Sequence, residues 1–587
     1  MTIFKTTQTA IAAILDGLVN EGALALRAPL PIFVVEPPRD AAHGDLATNV
    51  AMVLAKVAGK PPRAIAELLK PKLAALPNVT SVEIAGPGFI NLRLKPDVWH
   101  NELKEILKTG TSYGDSAYGK RERVNVEFVS ANPTGPMHAG HVRGAVLGDT
   151  LCNLLAKAGY DVTREYYFND AGTQVDVLAR TVNLRYREAL GEDIGEIPAG
   201  LYPGEYLKEV GAALAKRDGK KWLGKAETEW LAPLRDFAVQ FIMGLIREDL
   251  SLIGIKHDVF TNERDLIASG KLEKAFKILE DKGLIYVGTL PPPKGKAMED
   301  WEPAPLTLFR SSQFGDSTDR PLKKRDGTWA YIMPDIAYHY DKIARGFMYM
   351  INVLGTDHGG YLDKMRPAVA AFSDGKARLE VIYNNIVKIF KNGVPVKLSK
   401  RSGNLITLRE MVEQVGAGAV RFFMLTRAPD SELEFDFAKV VEQTRDNPVF
   451  YVQYAHARCC SVLRHAVAAK VDLSTEALAK VDVGSINTPE ELTLIRFLAN
   501  WPRAVEAAAA AQEPHRIAFY LMELAALFHS LWNKGNDNAA LRFIVPDDPA
   551  LTRARLVLIK AVQTVIASGL AVMGSTPLEE LRHETTT

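Results

Sequence analysis

The sequence predicts an α/β protein in which a doubly wound parallel sheet stands between a small α+β unit and an all-helical bundle. Three observations predict it. A strand pattern at 124–129 runs through a Pro/Gly loop into a helix and then a second strand, which is how a parallel sheet begins. Ahead of it, helical patterns alternate with short apolar runs of strand length. Beyond about residue 446 the chain turns helical and Ala/Leu-rich for roughly 140 residues.

Taken in order, helical spacing recurs at 9–19, 46–58 and 62–73, and strand-like runs fall at 32–35, 82–85 and 89–92. The stretch 108–123, with Gly110, Gly114 and Gly119, reads as a linker. The second unit opens with the strand at 124–129, a loop at 132–135, a helix over about 141–158 and a strand near 161–163. Later strands fit 348–354 and 379–383. A helical, polar insertion at about 185–300, holding Pro291, Pro292 and Pro293, separates the two halves. Helical patterns at 504–511, 516–532 and 551–573 build the final bundle, and a polar tail follows Leu581. The expected boundaries are 1–110, 120–430 and 431–587. They fit the three to four domains that 587 residues suggest.

Composition narrows the function classes. Hydrophobic residues make up 47% and charged residues 24%, which excludes wholesale disorder. No run approaches the roughly 20 consecutive apolar residues of a membrane span. The first helix is amphipathic, with Asp16 and Glu21 among its apolar positions, and carries no cleavage signal. A cytoplasmic monomer is the expectation. Cys152, Cys459 and Cys460 form neither a disulfide framework nor a C-x-x-C zinc pattern, and read as buried small hydrophobes. Lys plus Arg number 71 against 70 Asp plus Glu, so any polyanion site is a local patch. The basic runs at 388–401 and 216–225 are such patches or plain solvated faces.

The strongest local signal is Pro136, Met137, His138, Ala139, Gly140 and His141, where the first strand hands over to a helix. A helix start in a doubly wound sheet offers unpaired N–H groups to phosphate. Two histidines at i and i+3 can donate to the same anion, and Gly140 admits a flat base close to the backbone. On these residues alone, a capped helix start with two incidental histidines explains the pattern equally well. About 260 residues later stands Lys397, Leu398, Ser399, Lys400, Arg401, Ser402 and Gly403. Two lysines three apart on a Ser/Gly loop suit a clamp on polyphosphate, although an isolated run of this kind is more often an exposed loop.

Together, H-x-G-H after the first strand and K-[ML]-S-K after the last resemble the double signature of class I aminoacyl-tRNA synthetases. The surroundings are similar to the arginine-specific family. Glu127, Phe128, Ser130 and Asn132 match its E-F-x-S-x-N strand. Residues 166–174, reading YYFNDAGTQ, and the Tyr331 to Asp335 stretch with Ile336 and Ala337 match its later blocks. Residues 38–49 resemble its extra N-terminal domain, and 447–458 the first helix of its anticodon-binding bundle.

The resemblance implies a Rossmann-type class I core that joins L-arginine to tRNA(Arg) through an adenylate, using ATP with Mg²⁺ and no protein-bound structural metal. It implies ATP contacts at Pro136, Met137, His138, Ala139, Gly140, His141, Gly355, Asp357, Lys397 and Lys400. His138, Gly140, His141, Lys397, Ser399 and Lys400 are the implied catalytic set. Arginine contacts fall at Glu127, Ser130, Asn132, His141, Tyr331, Asp335 and His358. The chemistry points the same way, because a guanidinium wants planar ionised acceptors and Glu127 and Asp335 supply two. Tyr451, Tyr454 and Arg458, at i, i+3 and i+7 on one helix face, are implied tRNA contacts; by spacing alone such a set is more often a packed aromatic stripe. Two departures stand out. Many relatives lack the second loop lysine and carry a lysine just before the histidine motif, whereas Lys400 is present here and Gly135 holds the upstream position. Leu581 stands where relatives often end in a Met that contacts the anticodon, with a polar tail beyond it.

Overall fold

The computed structural model describes residues 2–290, 305–396 and 406–581. The Pro run at 291–293, the Lys397 to Gly403 motif and the tail beyond Leu581 lie outside the described residues.

The centre is a five-stranded sheet, every neighbouring pair of which is parallel. In spatial order its strands are Arg378–Asn384, Tyr349–Gly355, Arg123–Glu127, Asp161–Phe168 and Val259–Asn262. The chain builds outward from Arg123–Glu127 to one side, then returns to build the other side. The carboxyl ends of Arg123–Glu127 and Tyr349–Gly355 therefore border the topological switch point, where open α/β sheets bind ligands. The edge strand Val259–Asn262 corrects the sequence reading, which put 185–300 wholly outside the sheet. Only four residues long and flanked by polar helices, it leaves no periodic signature.

Helices cover both faces. Ala139–Lys157 lies on one, and a Cβ on its Gly148 would fall 2.3 Å from Phe128 Cγ, so only glycine lets helix and strand approach this closely. Ile332–Ala344 lies on the other, sending Lys342 and Arg345 onto the sheet.

Before this core, the strands Val35–Glu36, Leu46–Thr48, Phe89–Leu94 and Val79–Ala85 form an antiparallel sheet in that order. The stretch 46–58, read as one helix, is a strand at Leu46–Thr48 followed by the helix Val50–Ala58. Short apolar runs fit both periods, and strand pairing with Phe89–Leu94 decides this one. The stretch 32–35 contributes only Val35 to a strand, and the start of the expected linker belongs to the helix Pro96–Thr109.

After the core comes the helical bundle, with Pro448–Ala468, His515–Asp537 and Pro549–Val572 as its longest members. Pro549–Val572 passes for a span by mean composition, although Arg553, Arg555, Lys560 and Gln563 break it into short apolar runs. This 24-residue helix holds an 18-residue window with a mean hydropathy of 1.6, long and apolar enough to cross a membrane by length and composition. Of that window 78% is buried in the protein, which is the burial of a bundle's core helix. All three cysteines are buried.

Candidate active site

The first strand ends at Glu127, and the backbone then turns sharply. Val129 and Ser130 adopt φ of 69° and 43°, a left-handed conformation that a β-branched residue rarely takes. Such strain is held in place by its surroundings. Here the Ser130 hydroxyl donates to Glu127 Oε1 at 3.0 Å and accepts the Tyr167 N–H at 3.2 Å, while the Tyr166 hydroxyl donates to the Ala131 carbonyl at 2.8 Å. Asn132, exposed, accepts the Asn169 N–H through Oδ1 at 3.2 Å, and Asn169 Oδ1 in turn accepts from Ala171 and Gly172. The turn and the Asn169–Gly172 loop thus brace one another.

The histidine motif begins the helix Ala139–Lys157. His138 Nδ1 accepts the Gly140 N–H at 3.2 Å, and His141 Nδ1 accepts the His138 N–H at 3.4 Å. This reciprocal cap puts the two rings 3.8 Å apart and, in the neutral rings, fixes both protons on Nε2. Met137 and Ala139 are buried, Pro136 is half-buried and Gly140 is exposed, with His138 the nearest side chain to the position a Cβ would take.

The residues just after the lysine motif are laced onto the histidine motif. The Ala139 N–H donates to the Ile406 carbonyl at 2.9 Å, the Leu408 N–H to the Met137 carbonyl at 3.0 Å, and His138 pairs with Thr407. Asp249 ties a third element in, accepting the Met137 N–H at 3.3 Å and Arg409 at 3.1 Å. Buried Arg143, one turn into the helix, donates to the Asn385, Ser431 and Ala428 carbonyls. The chain at Ile406–Arg409 therefore shares one backbone frame with the histidine motif, and Lys397, Ser399 and Lys400 themselves lie outside the described residues.

Across the switch point lies a cluster of acids and tyrosines. Asp335, in the first turn of Ile332–Ala344, accepts the Tyr361 hydroxyl at 3.2 Å. Burial, and next the negative charge of Glu127, push its carboxyl up to about 7. The Tyr167 hydroxyl donates to Glu263 Oε2 at 2.7 Å, and burial raises the Glu263 carboxyl too. Tyr331 opens the helix with its side chain largely exposed; desolvation by the surrounding protein first, and next the charges of Asp335 and Glu263, hold its phenol up. Gly355 ends its strand, and Asp357 and His358 stand exposed just beyond it.

Glu127 is 5% exposed and already holds a cation: Lys342 Nζ lies 2.7 Å from its Oε2. Sequence reasoning missed Lys342, Glu263, Tyr361 and Asp249. Lys342 pairs across 215 residues of chain. Nothing local marks it, and only its helical register, seven residues past Asp335, could have placed it on the same face.

In the bundle, Arg458 lies over the Tyr454 ring at 4.2 Å and the Trp532 ring at 4.7 Å. Its guanidinium also donates to His529 Nδ1 at 2.9 Å, and that imidazole packs against Tyr451 at 4.5 Å. Burial lowers His529 to about 4, so it stays neutral beside Arg458. Tyr451, Tyr454 and Arg458 share one half-buried platform.

The family can now be read from known proteins. A model of the arginyl tRNA synthetase N-terminal domain matches residues 5–94, one of the catalytic domain of class I (R) tRNA synthetases matches 102–424, and one of the DALR anticodon binding domain matches 452–581. The chain belongs to the arginyl-tRNA synthetase family. This family member is 57% identical to an arginine–tRNA ligase of Parvibaculum lavamentivorans and 54% identical to one of Rhodospirillum rubrum, in each case over 99% of this chain and 100% of the relative. The arginyl-tRNA synthetase of Thermus thermophilus has the same fold, with a TM-score of 0.75 at 22% identity over 99% of this chain and 100% of that one. Membership makes the chain a class I enzyme and makes the switch point, with the histidine motif and the acid cluster around it, its candidate active site.

Proposed function

We propose that this enzyme attaches L-arginine to tRNA(Arg) at the switch point between the histidine motif and the acid cluster, working in the cytoplasm as a monomer. The observation that carries the reading is the pairing of an anion-ready helix start with a buried acid cluster across one switch point, in a member of this family. The acid side suits a guanidinium, whose planar donors match carboxylates and phenols. The helix side suits the α-phosphate of ATP, with the Nε2–H of His138 and His141 as donors. Mg²⁺ arrives on the nucleotide, and among the described residues no group of three or more potential ligands gathers to hold a metal.

In this reading the arginine carboxylate attacks the α-phosphorus in line, pyrophosphate leaves, and the adenylate passes arginine to the 2′-hydroxyl of the terminal ribose. Little covalent work falls to the protein. Its part is placement and charge stabilisation, with Lys397 and Lys400 following the departing pyrophosphate. Asn132 and Ser130 hold the main-chain end of arginine. Asp335, Glu127 and Tyr331 hold the guanidinium, and Gly355, Asp357 and His358 border the nucleotide and substrate. Lysine is rejected because it leaves buried acceptors unpaired, a penalty that reaches roughly 10⁴–10⁵ in related chemistry. The Tyr451, Tyr454 and Arg458 platform stacks on splayed anticodon bases, and residues 1–110 reach the tRNA elbow.

Arginine-dependent ATP–pyrophosphate exchange, run with each amino acid and with and without tRNA, tests the reading. Exchange with arginine alone among the amino acids is the expected outcome. Exchange with a different amino acid, or none under any condition, overturns it.

A further inference from the structure

Two carboxylates lie side by side under the arginine pocket. Glu127 and Glu165 are register partners on adjacent strands, so their side chains share one face of the sheet, and both are buried. Like charges placed opposite one another destabilise a sheet. The helix Ile332–Ala344 and its cap answer each with its own cation, three residues apart. Arg345 grips Glu165 at 2.8 and 2.9 Å, and Lys342 grips Glu127 at 2.7 Å. The two cations have different surroundings. Arg345 is 29% exposed, whereas the Lys342 side chain is fully buried.

Lys342 is also the better seated. Its Nζ donates to Asn352 Oδ1 at 3.2 Å and lies 4.4 Å from the centre of the Tyr338 ring. Asn352 stands opposite Glu127 in register, and its amide nitrogen lies 3.2 Å from His339 Nε2. His339 Nδ1 donates to the Asp335 carbonyl at 2.8 Å, which leaves Nε2 as acceptor and sets the direction of every bond in the chain. One continuous buried network thus runs from Glu127 through Lys342, Asn352 and His339 to the backbone of Asp335.

We infer that Lys342 is a positioning and specificity-determining residue for arginine. It offsets one carboxylate of the pocket and fixes the Glu127 oxygens, so that a single guanidinium completes the charge balance at Asp335. The inference rests on the proposed arginine pocket. Glu127 has two oxygens, and Lys342 and Ser130 take one lone pair on each, which leaves acceptor capacity on both for a planar donor. Without Lys342 the same site presents Glu127, Asp335 and Glu263 with no internal cation. Carboxylates so crowded hold a proton between them, which a cationic substrate has to displace.

The test is a set of steady-state measurements on full-length Lys342→Met, Lys342→Arg, Glu127→Gln and the double variant Glu127→Gln/Lys342→Met, reading arginine KM, ATP KM and kcat from pH 6 to 9. Lys342→Met is expected to raise arginine KM about tenfold or more while moving ATP KM and kcat less than about threefold, and to carry the pH dependence of arginine KM upward. Lys342→Arg restores part of the loss. The double variant, which removes both charges together, is expected to fold and to bind arginine no worse than Glu127→Gln alone, so the two substitutions are non-additive. That comparison holds even where Lys342→Met by itself unfolds. If Glu127→Gln raises arginine KM and the effects of the two substitutions simply add, Lys342 acts only on the fold and the inference falls. If Glu127→Gln leaves arginine KM unchanged, the pocket itself is misassigned and both readings fall.

Discussion

At the scale of single residues, Asp335 carries the most consequential shift. Its carboxyl is pushed up to about 7, by burial first and by the charge of Glu127 second. The sign for binding follows directly. A guanidinium cation binds the ionised carboxylate, so proton loss from the empty site favours arginine. Arginine KM is expected to fall as pH rises from 6 to about 8 and then to flatten, in initial rates at saturating ATP and tRNA; Asp335→Asn should raise KM and remove that slope. A slope of the opposite sign speaks against Asp335 as acceptor. For stability the sign is reversed: a raised carboxyl costs folding free energy as pH climbs from the ordinary carboxylate range to about 7, because the unfolded chain has already released the proton. Asp335 and Glu127 were legible in the sequence because each sits in a local block of recognisable pattern. Glu263 and Lys342 were not, because what defines them is a partner on another strand or helix.

At the scale of elements, the site depends on how closely one helix approaches one strand. Ala139–Lys157 begins at the histidine pair and meets the strand end at Phe128, with Gly148 as the point of contact. A Cβ there would stand 2.3 Å from the Phe128 ring, so Gly148→Ala is expected to destabilise the protein by about 1–3 kcal/mol, as overpacking does. It should also lower kcat, since it displaces His138 relative to Glu127; a denaturation midpoint and a kcat both at wild-type values would show that the contact relaxes freely. The aromatic platform on Pro448–Ala468 makes a separate prediction. Tyr454 stacks on Phe450 with 5.3 Å between ring centres and supports Arg458. If anticodon bases stack there, Tyr454→Ala raises the KM for tRNA by about five- to a hundredfold and leaves arginine KM at saturating tRNA unchanged. Element type was legible wherever the periodic run was long, as in the bundle helices. It was lost at Leu46–Thr48 and Val259–Asn262, three- and four-residue strands that owe their conformation to a neighbour in the sheet.

At the scale of the whole molecule, one buried guanidinium ties the bundle to the catalytic core, beside bonds such as Gln512 to the Tyr349 hydroxyl and Asn153 to the Val572 carbonyl. Arg421 is 1% exposed and donates to Asp149 on the histidine-motif helix at 2.6 Å, to the Ile253 carbonyl at 2.7 Å and to the Met573 carbonyl at the end of the last bundle helix at 2.7 Å. Its path is open only because position 574 is glycine. Gly574 has φ of +66°, and a Cβ there would lie 2.2 Å from an Arg421 nitrogen. None of these three partners is near Arg421 in sequence, so the joint could not be read from it. The neighbouring tail is held to the bundle by the same kind of bond, with Gln453 donating to the Thr576 carbonyl and accepting the Leu578 N–H. Removing one member of a buried charged pair costs about 3–5 kcal/mol when the other is left alone, an upper figure here because Arg164 still lies 3.4 Å from Asp149. Arg421→Met is therefore expected to lower the urea midpoint markedly, and because two carbonyls in different elements lose their donor, to separate unfolding of the bundle from that of the sheet when followed by two probes. Arg421→Lys keeps the charge but offers no fork to three acceptors, and should fall between the two. Since the joint links the helix that carries the histidine motif to the helices proposed to read the anticodon, Arg421→Met should, if tRNA proves to stimulate arginine activation in the exchange assay, weaken that stimulation more than it weakens tRNA binding. Equal losses in both would make Arg421 a structural bolt with no part in communication.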